Sequence, residues 1–153
     1  MSDVLLLPLL SRWLHVLAAV VAIGGAFFMR FVLMPTAMSV LSAEEHDRLR
    51  TPLLKRWKIV VHSSIAIFLL TGFYNYLAIT RFRHEGQGLY HGLFGLKFCL
   101  AIVVFALAIA LTSRGEVFAP VRANARLWLA VLVALAVVVV MLGGVLHTIP
   151  ASS

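Results

Sequence analysis

The chain has 153 residues, of which 62% are hydrophobic and only 12% charged, and its mean hydropathy is +1.01. A soluble domain is about half apolar and about a quarter charged, so this composition excludes an ordinary globular enzyme, a disordered chain and a disulfide scaffold, and reads as an integral membrane protein. The single cysteine, Cys99, lies in an apolar run and has no partner for an internal bridge. Thirteen Lys and Arg against six Asp and Glu give a net charge of +7, whose meaning depends on where the charges fall.

Four apolar stretches, 11–34, 57–79, 93–112 and 127–146, are each long enough for a bilayer core that needs about 20 helical residues. The first lacks a basic leader, carries Asp3 and is too long for the apolar core of a secretory signal, so it is expected to be a retained span. It is expected to begin after Pro8 and to stop at Arg30 and Pro35. Ser42-Ala43-Glu44-Glu45 has the form of a capping box, which predicts a short surface helix before Pro52. The loops around 81–88, with Gly86 and Gly88, and 113–126, with Gly115 and Pro120, suit antiparallel neighbours. The expected fold is therefore an all-α, up-down-up-down four-helix membrane bundle forming one domain over 1–153.

The basic residues sort by loop. Arg30, Arg48, Arg50, Lys55, Arg56, Lys58, Arg114, Arg122 and Arg126 fall in or beside the first and third loops, against Arg12, Arg81 and Arg83 on the other side. That asymmetry is expected to place the first and third loops in the cytoplasm and both termini outside, as in a multi-pass membrane protein. The lipid bilayer accounts for the charge, and nucleic acid is not needed as a partner.

An ionisable side chain in hydrocarbon is costly unless it has a partner, a cavity or the interface. All six carboxylates lie outside the spans, which argues against carboxylate-based ion coupling and paired-carboxylate catalysis. Histidine remains. His15, His91 and His147 belong to three different spans and are expected at one level near the outer surface, with His62 roughly 20 Å below them. His46 and His84, in loops, are expected to be solvated. His15 heads a stripe of small residues, Ala18, Ala19, Ala22, Gly25 and Ala26, while His91 has Gly95 one turn below and His147 has Gly143 and Gly144. Such faces let a flat macrocycle approach an imidazole, although they also serve plain helix packing. Lys97, inside the third span with no carboxylate at hand, calls for an anion such as a haem propionate, a lipid phosphate or a substrate carboxylate. Arg30 is expected as an anchor at the inner interface, and Trp13, Trp57, Tyr74, Tyr76 and Tyr90 as interfacial belts. Met29, Met34 and Met38 read first as packing, with a thioether path for Cu(I) as the sharper alternative. No phosphate loop, Cys-x-x-Cys, His-Glu-x-x-His or Gly-x-Ser-x-Gly is present.

Two pieces of sequence carry a resemblance. Trp13-Leu14-His15-Val16-Leu17-Ala18, with Gly24-Gly25 and Phe28-Met29-Arg30-Phe31, resembles the first span of small bacterial membrane proteins related to the CopD copper-resistance domain and to the HemJ-type protoporphyrinogen oxidases. His91-Gly92-Leu93-Phe94-Gly95-Leu96-Lys97-Phe98 is similar to their later span, in which a lysine follows a histidine. The resemblance implies a bundle that binds haem b or handles copper, and it carries the functional histidine and lysine of the HemJ type onto His15 and Lys97. The chain departs from that pattern in its first loop, where a charged helix replaces a tyrosine-histidine pair, and in a last span that ends Gly-Gly-Val-Leu-His.

The leading expectation is a haem-b membrane protein for electron transfer or oxidoreduction. Its cofactor-binding residues are His15, His91, His147, Arg30 and Lys97, with His62 able to hold a second haem, and its partner is a redox protein or lipophilic substrate. The alternative is copper or zinc binding or transport by a three-nitrogen site of His15, His91 and His147. A cofactor-free accessory subunit is the third reading. Small-residue faces also suit a homo-oligomer.

Overall fold

The computed structural model describes residues 2–113 and 115–151, with side chains from Leu6 onward; Arg114 and the Asp3 side chain, both used in the charge reading, lie outside the described residues. In chain order, α1 (Ser2–Phe28) runs through a π-helical turn (Met29–Leu33) into α2 (Met34–Val40). The long α3 (Ala43–Asn75) runs through a second π-helical turn (Tyr76–Thr80) into α4 (Arg81–Arg83). Then come α5 (Gly88–Thr112), a 3₁₀ turn (Glu116–Phe118), α6 (Ala119–Ala123) and α7 (Ala125–Thr148). Four continuous rods, Leu6–Val40, Ala43–Arg83, Gly88–Thr112 and Ala125–Thr148, are long and apolar enough to cross a membrane, and no strand occurs among the described residues. The protein is an all-α, multi-pass membrane four-helix bundle.

The helices outrun the predicted spans because proline did not stop them. Pro8 lies inside α1, Pro35 falls at the start of α2, and Pro52 lies inside α3. Around Pro35 the ladder widens into the π-helical turn Met29–Leu33, the kind of local adjustment that re-satisfies backbone groups a missing N–H has freed. The first rod ends only at Leu41, which turns to extended geometry. The capping box forms as its sequence predicts: Glu45 N–H donates to Ser42 Oγ, and Ser42 N–H and hydroxyl both donate to the Glu45 carboxylate. It opens the whole second rod, however, and not a separate surface helix, so the basic segment with Arg48, Arg50, Lys55 and Arg56 is continuous with the apolar span.

Cross-helix contacts fix the topology. His15 meets Thr71 and Gly25 meets Trp57, so positions that rise along α1 fall along α3 and the two are antiparallel. Gln87 Nε2–H donates to the Pro150 carbonyl, joining the start of α5 to the end of α7, while Arg30 reaches the Arg126 carbonyl and joins the end of α1 to the start of α7. One end of the bundle thus carries His91 and His147, and the other carries Arg30 and Arg126. α1 packs chiefly on α3, and α5 on α7.

The interior is thin. Ala26, Leu132 and Val133 form its buried centre, with Trp57, Val104, Leu107 and Leu111 packed against them. Ala18 and Ala26 are buried, so the small stripe of α1 faces inward. Trp57 therefore serves as core and not as an interfacial belt, its ring lying against Gly25. Trp13 is exposed, as a belt residue should be. Long apolar side chains such as Val20, Ile59, Leu70 and Met141 point outward, a surface that only lipid or another apolar helix covers.

Candidate cofactor site

His15 is the polar centre of the interior. Its ring, half-buried on the inward face of α1, donates Nδ1–H to Thr71 Oγ1 at 2.7 Å, and the Thr71 hydroxyl donates in turn to the Ile67 carbonyl at 2.5 Å. Because the one hydroxyl proton is committed to Ile67, Thr71 can only accept from His15. The proton is therefore held on Nδ1, and Nε2 keeps its lone pair, the form in which a neutral imidazole ligates a metal. Phe68 stands edge-on to the ring at 5.1 Å between centroids and stacks on Phe105, which closes one side with hydrocarbon. Gly72, one turn on from Phe68 along α3, lies beside the ring as well, where a Cβ would rest in ordinary contact with His15 Cε1 at 3.6 Å.

Two further groups face this interior without a partner. Ser11, one turn from His15 on the same face of α1, is 7% exposed and its hydroxyl is unpartnered among the described residues. Lys97 turns inward from α5 toward α7, its Nζ resting 3.3 Å from where a Gly143 Cβ would sit, and within electrostatic reach of His15. No carboxylate among the described residues pairs with it. Four helices thus contribute to one locus: Ser11 and His15 from α1, Thr71 and Gly72 from α3, Lys97 from α5 and Gly143 from α7. A lone-pair nitrogen, an unspent hydroxyl and an unpaired ammonium together suit a group that is a Lewis acid at one point and an anion at another.

The remaining predicted residues are distributed differently. His91 shares a 3.2 Å hydrogen bond through Nδ1 with the Tyr76 hydroxyl and stands edge-on to Tyr76 and Tyr90. His147 is exposed in the last turn of α7, on the face of Gly143 and one turn beyond it. His62 is exposed on α3 and spends Nδ1–H on the Lys58 carbonyl at 2.8 Å, apart from every other predicted site residue. Arg30 donates Nε–H to the Arg126 carbonyl at 3.0 Å and lies over the Phe31 ring, at the opposite end from His91. Among the described residues no three His, Cys, Asp or Glu side chains gather closely enough to hold a metal ion, so the three-nitrogen cluster of His15, His91 and His147 does not form. His15 is engaged by Thr71, His91 by Tyr76 five residues further along the second rod, and His147 is exposed.

Two loop expectations also change. His84 is buried, not solvated: it stacks on Tyr90 at 3.8 Å and donates Nδ1–H to Gln87 Oε1 at 2.8 Å. Tyr90 is buried against the His84 ring, and Tyr76 stacks on Phe94 at 4.0 Å. The sequence reading passed over Ser11 and Thr71. Ser11 stands four residues before His15, but Thr71 is marked in sequence only as a hydroxyl inside an apolar run.

No family model, curated protein or solved structure matches the chain.

Proposed function

We propose that this chain is a haem-b protein of a bacterial inner membrane, acting in electron transfer or membrane oxidoreduction, in which His15 would ligate the iron. The observation that carries the reading is the His15–Thr71–Ile67 relay, which holds the imidazole in its ligating tautomer inside an apolar bundle. Lys97 and the Ser11 hydroxyl would serve as the cation and donor for a propionate, and Gly143 leaves the room on α7 into which the Lys97 ammonium reaches. His147, exposed one turn beyond Gly143 on the same face, would be the further histidine available to the iron. When bound, the haem supplies one-electron chemistry; the chain orients the ligand, neutralises the acid group and keeps water out with Phe68 and Phe105. One haem is the expected number, since His62 stands alone on an exposed face.

The test is an absorption spectrum of the detergent-purified protein. A Soret band, with α and β bands that sharpen on reduction and are lost in His15→Ala, is expected. A haem-free protein that carries copper or zinc by elemental analysis would overturn the proposal in favour of metal handling.

A further inference from the structure

A second locus lies at the His91 end, apart from the His15 interior. Tyr76, Arg81, Phe82, Glu85, Gly86 and His91 line one open cleft between the end of the second rod and the start of α5. The π-helical turn Tyr76–Thr80 presents Tyr76 to it, and wide turns of this kind are frequent at functional sites. Gly86, at φ +75°, makes the turn that brings Glu85 round; a side chain there would be strained. Neither Arg81 nor Glu85 has an ion-pair or hydrogen-bond partner among the described residues, although both stand in the same cleft.

We infer that this cleft binds the head group of a lipid-soluble quinone or quinol. A phenol donates more readily than it accepts, so the Tyr76 hydroxyl directs its proton to His91 Nδ1 and leaves Nε2–H as the ring's own donor. This is the opposite tautomer to that of His15, which keeps its Nε2 lone pair. The two imidazoles are therefore prepared for different tasks, one to ligate and one to donate a hydrogen bond to an oxygen. Glu85 accepts and Arg81 donates, which gives the cleft both hydrogen-bonding senses and, with one charge of each sign, no net preference for an anion. Tyr76, held flat against Phe94, and the exposed Phe82 provide aromatic surface at the edge of the apolar rods, where a head group enters while its tail stays in lipid. A planar ring with oxygens on opposite sides and an apolar tail matches all of these features. His91 precedes Lys97 by six residues, so the cleft stands about 9 Å along the axis from the Lys97 level. The inference rests on the haem reading for its purpose, since it names the electron partner, but binding is measurable without haem.

The experiment is calorimetric titration of the purified protein with a decyl-substituted 1,4-benzoquinone. Saturable one-site binding is expected, with each of Glu85→Gln and His91→Phe weakening it about tenfold, the order of one lost hydrogen bond. Tyr76→Phe weakens it less, and His62→Ala, on the exposed face of α3, leaves it unchanged. Unsaturable uptake, equal affinity across parent and the cleft variants, or displacement of the quinone by phosphatidylglycerol through Arg81 would overturn the inference. Quinone bound by a haem-free parent would sink the haem reading alone, and haem retained without quinone binding would sink the cleft alone. Tyr76→Phe keeps the ring and its stacking, so its affinity remains informative if His91→Phe fails to fold.

Discussion

Thr71→Val is the substitution that separates a positioned ligand from a histidine that merely sits in the bundle. Valine matches threonine in shape, so the packing of α1 on α3 is kept while the hydroxyl is lost. The Ile67 carbonyl is not orphaned, because it lies four residues before Thr71 within α3 and keeps its helical N–H. His15 loses more: its Nδ1–H, 2.7 Å from Thr71 Oγ1, faces hydrocarbon with no acceptor. Leaving such a donor unsatisfied costs about 1–3 kcal/mol, and removing the partner that orients a ligating imidazole weakens metal affinity roughly 10–100-fold. The two ranges agree, since tenfold corresponds to about 1.4 kcal/mol. Titration of the haem-depleted protein with haem, followed at the Soret band, should give an apparent Kd raised by that factor in Thr71→Val and restored in Thr71→Ser. Equal affinities for parent and Thr71→Val would refute the relay as the device that prepares His15.

Other outcomes follow from the same geometry. Gly25→Ala drives a methyl into the Trp57 ring and should lower thermal stability by about 1–3 kcal/mol of overpacking, partly offset by helix propensity. Gly24→Ala, with open space around its Cβ position, should instead gain up to about 1 kcal/mol, and equal melting temperatures for the two variants would contradict the packing of α1 on α3. Lys97→Met should keep the Soret band but lower haem retention on dilution, because the ammonium answers an anion and not the iron; unchanged retention would remove Lys97 from the site. The Ser42 hydroxyl and N–H hold the Glu45 carboxyl below the usual carboxylate range. Its contribution to the start of α3 is therefore complete above the ordinary carboxylate pKa and is lost as pH falls through the depressed folded value. Amide exchange at 43–46 should accelerate over that acid window in the parent and show no such step in Glu45→Gln.

The bundle was legible because hydropathy acts over whole segments, and lipid tolerates few alternatives to continuous helix. The helix ends were less so. Pro8, Pro35 and Pro52 would stop helices in water, but here the surrounding segment continues the helix past each of them. His15 and Lys97 stood out as charge-capable groups in hydrocarbon, whereas Thr71 and Ser11 did not, since a hydroxyl in a membrane helix can bond its own backbone and costs little. The three-histidine cluster failed for a geometric reason. Residue spacing gives depth along a helix, but the rotation of each helix is set by packing, and that rotation turns His91 to Tyr76 and leaves His147 exposed. His84 shows the same limit in a loop, buried by a Tyr90 that its spacing did not connect to it.

Counting haem against protein puts the central claim at direct risk. A pyridine haemochromogen assay on protein purified from haem-sufficient cells should find one haem b per chain in the parent, none in His15→Ala and one in His62→Ala. His147→Ala should keep its haem but lose the sharp reduced bands of a six-coordinate iron. A parent without haem, or His15→Ala with a full complement, would contradict the account.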